Sequence, residues 1–422
     1  MRLLLVNPWI ADFAAFNFWV RPLGLYAVAE WLDSLGEQVI LLDCLSPFKA
    51  PGRFRREQVS LPISTKLPIK RSFARYGIER SEFRRRLHQS GRFDAVFITS
   101  VMSYWYPGIS WVVKEIRKEI GNVPIILGGI YATLWTEHAQ SNLQVDLVCK
   151  GPLEVNKEKI CNFLGLSGLQ KDKRAWYKLP IWDGVDYCAV RTAIGCPFRC
   201  TYCASRILAP RFSQRPVDEV IRELMHLKRI GVRQVAFYDD ALLVDFNQRL
   251  GPILDELERR QIRFSFHTPN GLHARLINEQ VAKRLVEAGF KSVRLSLETV
   301  NANRQKETGG KVSSVDLERA ISHLLKAGMK PSAIGVYLLV GLPGQDLDEV
   351  EESIRYVKAL GVRPYLAEFS PIPGTLEWDR LEGQGVVSRS MDPLLTNNTI
   401  FFRLFTNYDM DRFRALKLLA AS

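Results

Sequence analysis

Apolar residues recur along the chain in short blocks of two kinds. Leu3 to Val6, Val39 to Leu42, Ala95 to Ile98 and Ile125 to Leu127 are near-continuous runs, the pattern of strands buried on both faces. Leu23 to Leu35 and Ile109 to Ile120 instead space their apolar residues as amphipathic helices do, and Gly36 ends the first. A further run, Val145 to Cys149, leads to Gly151 and Glu154. This alternation of strand and helix implies a parallel sheet covered by helices, so residues 1–155 read as a Rossmann-like domain.

The alternation resumes at Cys188. Strands are predicted near Ala189 to Ile194, Gln234 to Tyr238, Ile262 to His267, Ser292 to Leu297, Ala333 to Val340 and Tyr365 to Phe369. Helices fall between them, at Pro216 to Ile230, Asn247 to Arg260, Asn278 to Ala288, Ser314 to Ala327 and Leu347 to Leu360. The expected class is therefore α/β, the Rossmann-like domain being followed at 188–380 by a partial (β/α)6 barrel of the TIM type. Residues 156–187 are polar and mixed and read as a linker. Residues 381–422 read as a short C-terminal extension, helical from Asp409 to Leu419.

Composition narrows the classes. The chain has 422 residues, 47% hydrophobic and 24% charged, which suits ordinary globular domains and excludes fibrous or disordered ones. Its longest apolar stretch, Ala333 to Leu342, falls well short of the roughly 20 residues a membrane helix needs. At the start, Leu3 to Val6 is too short for a signal-peptide core, so a cytoplasmic protein is expected. The formal net charge is +13, and Arg53 to Arg92 supplies nine of it, with twelve lysines or arginines against three glutamates. This basic insertion, 50–92, carries Phe54, Phe73, Tyr76 and Phe83 among its arginines, as nucleic-acid binding would favour. No RNA-binding module accompanies it, so a solvated basic insertion is the favoured reading and RNA the lesser one.

Seven cysteines in a reducing compartment argue against a disulfide framework. Three are clustered, Cys196, Cys200 and Cys203, on what should be the loop after the first barrel strand, where parallel barrels place their chemistry. Three thiolates on one loop can hold three irons of a [4Fe–4S] cluster and leave the fourth open. On spacing alone structural zinc is the alternative, although it normally takes a fourth protein ligand.

Cys196, Cys200, Tyr202 and Cys203 resemble the hallmark of the radical S-adenosylmethionine (radical SAM) superfamily, Cys-x3-Cys-x2-Cys with an aromatic before the last cysteine. The resemblance continues at Tyr238-Asp239-Asp240, Leu295-Ser296-Leu297-Glu298, Gly341-Leu342-Pro343-Gly344 and Pro371-Ile372-Pro373-Gly374-Thr375. It implies that the three cysteines hold the cluster and that reductive cleavage of SAM yields a 5′-deoxyadenosyl radical acting on an unactivated carbon. It also implies a SAM site: Tyr202 beside the cluster, Asp239 or Asp240 on the methionine ammonium, Ser296 and Glu298 on the ribose or methionine part, and Gly341 and Gly344 against the adenine. A one-electron reductant such as ferredoxin or flavodoxin and a small-molecule or peptide substrate follow as partners. His267 and His273, isolated on the chain, are left out of the catalytic set.

Asn7-Pro8, Pro22-Leu23-Gly24-Leu25, Gly128-Gly129 and Gly151 to Glu154 resemble the cobalamin-binding-type domain that precedes the barrel in one branch of that superfamily. Ligands of open parallel sheets bind beyond the strands' carboxyl ends, which makes Asn7, Thr99, Ser100, Gly128 and Gly129 the candidate cobalamin residues. The Asp-x-His-x-x-Gly element that supplies a cobalt-ligating histidine in many cobalamin domains is absent, the first histidine being His88. Five aromatics between Trp9 and Trp19 suit either a flat ligand or a buried patch, burial being favoured. The leading expectation is a radical SAM enzyme performing cobalamin-dependent methyl transfer. The alternatives are a cobalamin-independent rearrangement, cyclisation or RNA modification, and an iron–sulfur electron-transfer or regulatory protein.

Overall fold

The computed structural model describes residues 1–45, 54–63, 69, 71–166, 175–179, 181 and 184–422. They pack as two compact units, Met1–Val185 with Ser388–Ile400, and Asp186–Val387 with Phe401–Ser422.

In the first unit, β1 (Arg2–Asn7), β2 (Ile10–Asp12), β3 (Gln38–Asp43), β4 (Arg56–Gln58), β5 (Ala74–Tyr76), β6 (Ala95–Ile98), β7 (Ile125–Leu127) and β8 (Leu147–Val148) form two sheets. The larger is parallel in the order β3-β1-β6-β7-β8, with Leu5 between Leu41 and Phe97. Its order reverses between β1 and β6, which makes the ends of those strands, Asn7 and Thr99–Ser100, the topological switch point. Leu3 to Val6 are almost wholly buried, because helices cover both faces of this sheet.

The basic insertion builds the smaller antiparallel sheet, β2-β5-β4. Its aromatics face inward: Phe54, Phe73, Tyr76 and Phe83 are all buried, Phe83 beside Trp9 at 4.9 Å between ring centroids. Many of its arginines are paired, Arg55 with Glu79, Arg75 with Glu57, Arg84 with Glu115, and Arg85 and Arg86 with Glu82. Stacking rings and free cations are what single-stranded nucleic acid needs, so these residues weaken the RNA reading. Arg53, Lys66, Pro68 and Lys70 lie outside the described residues. Of the aromatic run, Trp9 and Phe13 are buried, whereas Phe16 and Phe18 are exposed side by side.

The expected linker is not one throughout. Leu153–Leu164 is a helix, and Trp176 stacks on Tyr26 at 4.2 Å, so the described residues of this stretch belong to the first unit. Their buried apolar positions are too sparse to show as a period. The expected C-terminal extension is also divided. Ser388–Ile400 returns to the first unit, where Asp392 accepts from Tyr106 Oη at 2.9 Å and Asn397 donates to Asp12 at 3.0 Å. The helix Met410–Ala421 lies against the second unit's last strand and the helix Leu347–Ala359.

The second unit continues with β9 (Tyr187–Val190), β10 (Ala193–Ile194), β11 (Ser213–Gln214), β12 (Gln234–Phe237), β13 (Ser265–Leu272), β14 (Phe290–Glu298), β15 (Ile334–Val340) and β16 (Arg363–Glu368). Six of them, β9-β12-β13-β14-β15-β16, pair in parallel to form the six-stranded barrel sheet, and β10-β11 is a small ladder beside it. Helices follow the strands, as the spacing predicts. Ser313–Asp316 closes a capping box at the start of Ser314–Lys326. Val217–Arg229 begins with Asp218 and Glu219 and ends with Lys228 and Arg229, each matching the helix dipole.

Candidate functional site

Thr192 and Ala193 follow the first barrel strand, β9, and the cysteine loop starts two residues later at Gly195. That strand end is fastened by one buried carboxylate. Asp239, after β12, accepts from Thr192 N at 3.0 Å, Thr192 Oγ1 at 2.6 Å and Ala193 N at 2.7 Å. Arg249 approaches the same carboxylate at 3.0 Å and also donates to the carbonyls of Ala241, Leu242 and Val244. Both side chains are almost fully buried. Asp239 is therefore committed to the loop's foundation and has little left to offer a ligand ammonium. Asp240, at the same strand end, is exposed and hydrogen-bonds the Ser205 side chain.

The loop itself is held from the opposite strand ends. Thr201 N donates to Thr308 O at 3.2 Å, and Thr201 Oγ1 to Glu377 at 2.6 Å. Gly309 has φ +112°, and a Cβ there would meet Arg199 O at 2.7 Å and Cys200 Cα at 3.1 Å. Only glycine allows this approach. Gly309→Ala is accordingly expected to displace the cysteine loop and lower the iron content of reconstituted protein. Gly310→Ala, where φ is +58° but no atom lies within 4 Å, should load iron nearly as wild type does. Iron and sulfide assays on both variants check this.

Cys196 and Cys200 are half-buried and Cys203 is exposed. Burial pushes the Cys196 thiol up to about 11, and the two neighbouring thiols add to the effect. The Cys200 thiol also rises through burial, against the pull of Lys311. Metal loading must therefore displace protons. Ligands of a four-iron cluster each meet a different iron, so three thiols spread along one loop suit a cluster better than zinc.

Against Cys200 lies a charged network. Tyr202 Oη donates to Glu298 Oε1 at 2.6 Å, Lys311 pairs with the same oxygen, and the Lys311 ammonium lies 5.7 Å from the centre of the Tyr202 ring. Glu298 Oε2 is buried and has no hydrogen-bond partner among the described residues. Burial disfavours the Lys311 ammonium, but Glu298 and Cys200 outweigh it and the net shift is upward. Sequence patterns do not point to Lys311. Its only local signal is the preceding Gly309-Gly310 pair, which brings the chain tight against the cysteine loop.

Glu298 has φ +69° and follows a bulge in β14, where Ser296 pairs with Tyr337 but Glu298 with Leu338. The extra residue interrupts the alternation that would set Ser296 and Glu298 on one face. Ser296 instead packs closely on Gly271, where a Cβ would lie 2.1 Å from Ser296 Oγ. At Gly341 the close neighbour is the chain's own Phe402, whose ring would lie 3.0 Å from a Cβ there, rather than open space for an adenine. Gly344 has no atom within 4 Å of its absent Cβ and remains open to a ligand. His273 stacks on Phe198 at 4.2 Å, and burial lowers it to about 3, helped by Lys311 and Arg275.

In the first unit the candidate residues divide as well. Asn7 donates to Asp43 at 2.7 Å, Ser100 Oγ donates to Gly128 O at 2.7 Å, and a Cβ on Gly129 would strike Ser100 O at 2.3 Å. These three serve the sheet's own turns. Thr99 is half-buried, and the backbone at Gly128 has nothing within 4 Å of its absent Cβ. A cavity of about 20 Å³ beside Asn7, Ser100 and Met102 has room for a water-sized group. The unit's histidines are engaged, His88 with Glu119 and His138 with Tyr131.

Comparison with known proteins agrees with this arrangement. The family model of the radical SAM superfamily matches residues 190–357. An uncharacterized methyltransferase of Pyrococcus horikoshii is 26% identical over 325 residues, 68% of this chain and 69% of that protein. The ribosomal protein uS12 methylthiotransferase RimO of Carboxydothermus hydrogenoformans is 24% identical over 272 residues, and the chain spans 57% of its length. Among solved structures, the radical SAM methyltransferase TsrM from Kitasatospora setae, with cobalamin and a [4Fe–4S] cluster bound, is similar with a TM-score of 0.67. That match has 16% identity and covers 91% of this chain and 75% of TsrM. The cobalamin-dependent SAM radical enzyme OxsB is similar with a TM-score of 0.55 and 13% identity, over 99% of this chain and 60% of its own. A three-thiol loop just after the first barrel strand, the matching family model and the shared fold lead to one conclusion: residues 190–357 form a radical SAM domain, and the chain is folded like the cobalamin-dependent radical SAM enzymes TsrM and OxsB.

Proposed function

We propose that Cys196, Cys200 and Cys203 hold a [4Fe–4S] cluster and that the chain cleaves SAM to begin radical chemistry on an unactivated carbon, in the service of cobalamin-dependent methyl transfer. The observation that carries this reading is the cysteine loop braced between Asp239–Arg249 below and Tyr202–Glu298–Lys311 beside it. When bound, the cluster and SAM supply a one-electron reductive cleavage and hence hydrogen abstraction from carbon. The chain's own residues do the rest. Tyr202 and Lys311 fix one oxygen of Glu298, which leaves Oε2 to accept from a ligand hydroxyl or ammonium. Asp240 offers a second acceptor and Gly344 an open stretch of backbone.

The cobalamin part is supported by the fold shared with TsrM and OxsB, whose structures contain cobalamin, and by the open backbone at Gly128 beside Thr99. Methyl transfer is supported by the Pyrococcus relative. A low-potential carrier such as ferredoxin or flavodoxin is the reductant we assign, and the cytoplasm the compartment, where thiols stay reduced. Among the described residues no helix is long and apolar enough to cross a membrane.

Anaerobic purification with iron, sulfide and cobalt quantified together tests both parts. Wild-type protein should form 5′-deoxyadenosine from SAM under reduction, and Cys200→Ala should fall to background with iron lost. An intact cluster that yields no deoxyadenosine would overturn the reading. Cobalt absent after growth with the vitamin would remove cobalamin from it.

A further inference from the structure

Along β14 the residues alternate between two environments. Val293, Leu295 and Leu297 are almost wholly buried, as residues packed beneath the surrounding helices are, whereas Ser292 and Arg294 are only half-covered and belong to the barrel's inner face. On the neighbouring strands Tyr337, Leu339 and Tyr365 are likewise half-covered, while Val336, Leu338 and Val340 are fully buried. The interior therefore differs from the packed layers that fill a closed barrel.

Arg294 is the unusual member of this face. Its Cζ lies 4.4 Å from the centre of the Tyr365 ring, and Arg363 approaches the same ring at 5.2 Å. Gly335 makes the stack possible, since a Cβ there would meet Tyr365 at 2.5 Å and Arg294 Cδ at 3.0 Å. Among the described residues neither arginine has an acidic partner. Arg294 makes long side-chain bonds of 3.4 Å to Val293 O and 3.3 Å to Tyr365 Oη and also hydrogen-bonds the Tyr337 side chain, none of them to an acid, from a fork with five donors. Three other half-buried or buried arginines of this unit are, by contrast, paired: Arg249 with Asp239, Arg304 with Glu349 and Arg215 with Glu223. The remaining titratable neighbours bring no negative charge: Tyr337 is a phenol pushed upward by burial, and His267 is lowered to about 4 by burial and by Arg294.

We propose that the barrel interior holds a carboxylate-binding subsite for the substrate, with Arg294 as its bidentate donor and Tyr337 and Leu339 as its apolar wall. A guanidinium fork matches a carboxylate in shape and charge, and a lone cation in a partly desolvated interior is stabilised by receiving one. Arg294 precedes Glu298 by four residues, about 13 Å along the strand. An organic acid held there extends its other end toward Tyr202, Glu298 and the cysteine loop. This rests on the radical SAM reading and adds the substrate class to it.

The test uses reconstituted protein without reductant, with 3-phenylpropionate as probe and 3-phenylpropionamide as its uncharged match, titrated by calorimetry. The acid should bind at least about ten-fold more tightly than the amide, and Arg294→Gln should abolish that preference while circular dichroism and iron content stay as in wild type. Equal binding of the two probes, binding of neither, or an unchanged preference in Arg294→Gln overturns the proposal. SAM carries a carboxylate too, so its affinity is measured in both proteins. A ten-fold loss in Arg294→Gln would assign the arginine to the cofactor and likewise overturn a substrate subsite. Failure of SAM cleavage strikes only the activity reading, because the probe titration involves no turnover.

Discussion

Asp239→Ala should destabilise the barrel unit by about 3–5 kcal/mol, the usual consequence of removing one partner from a buried ion pair. Arg249 would be left almost fully buried with its charge unmatched, and Thr192 and Ala193 would lose the acceptor that fastens the strand end. The predicted signature is a large fall in denaturant midpoint together with poor cluster loading. Asp240→Ala should do the reverse, leaving the midpoint near wild type while weakening SAM binding. If Asp239→Ala unfolds at the wild-type midpoint and only its SAM affinity falls, the structural role assigned to Asp239 is wrong. Denaturant titration and SAM binding on the same two preparations decide it.

Lys311→Met should shift the cluster's midpoint potential in the negative direction, by on the order of 50–100 mV. For any unit charge at a separation of about 8 Å in an effective dielectric near 20 the interaction is about 2 kcal/mol, and 59 mV corresponds to about 1.4 kcal/mol for one electron. Lys311 is largely buried and paired with Glu298 beside Cys200, so solvent screens it less than a surface lysine. Removing the cation makes the added electron harder to hold. Glu298→Gln should move the potential the other way, and Lys311→Arg should keep most of the wild-type value. A redox titration followed by electron paramagnetic resonance reads all three, and a Lys311→Met potential equal to wild type would remove Lys311 from the electrostatics of the site.

These two predictions concern residues that the sequence treats very differently. Asp239 is conspicuous in Tyr238-Asp239-Asp240, yet a motif of two adjacent carboxylates does not say which one turns inward. Burial separates them: Asp239 is enclosed with Arg249, ten residues on, and Asp240 is left at the surface. Lys311 carries no motif at all. It reaches the site because Gly309, with φ +112°, lets the chain run against Arg199 and Cys200. Arg294 is likewise silent in the sequence, since nothing local shows that a barrel-facing arginine lacks a carboxylate.

The small sheet β2-β5-β4 shows the same limit within the fold. Its strands are three residues each, below the length at which alternation is informative, and β5 pairs with a strand more than sixty residues away. Charge therefore dominates the sequence reading of that region, although its aromatics are part of the core. Ser388–Ile400 is similar, because its return to the first unit rests on bonds such as Asn397 to Asp12 and on the scattered buried residues Leu394 and Ile400, which pack with Ala11, Phe13 and Phe73, rather than on a periodic face.

By itself the sequence determined the α/β class, nearly every parallel strand and its following helix, and the three thiols with their loop. Those features rest on local periodicity and on short spacing, which survive in one dimension. Only the tertiary structure decided which carboxylate is structural, which lysine stands beside the thiols and which barrel arginine has no acidic partner among the described residues. Pairing and burial are properties of distant segments brought together, and no local pattern records them.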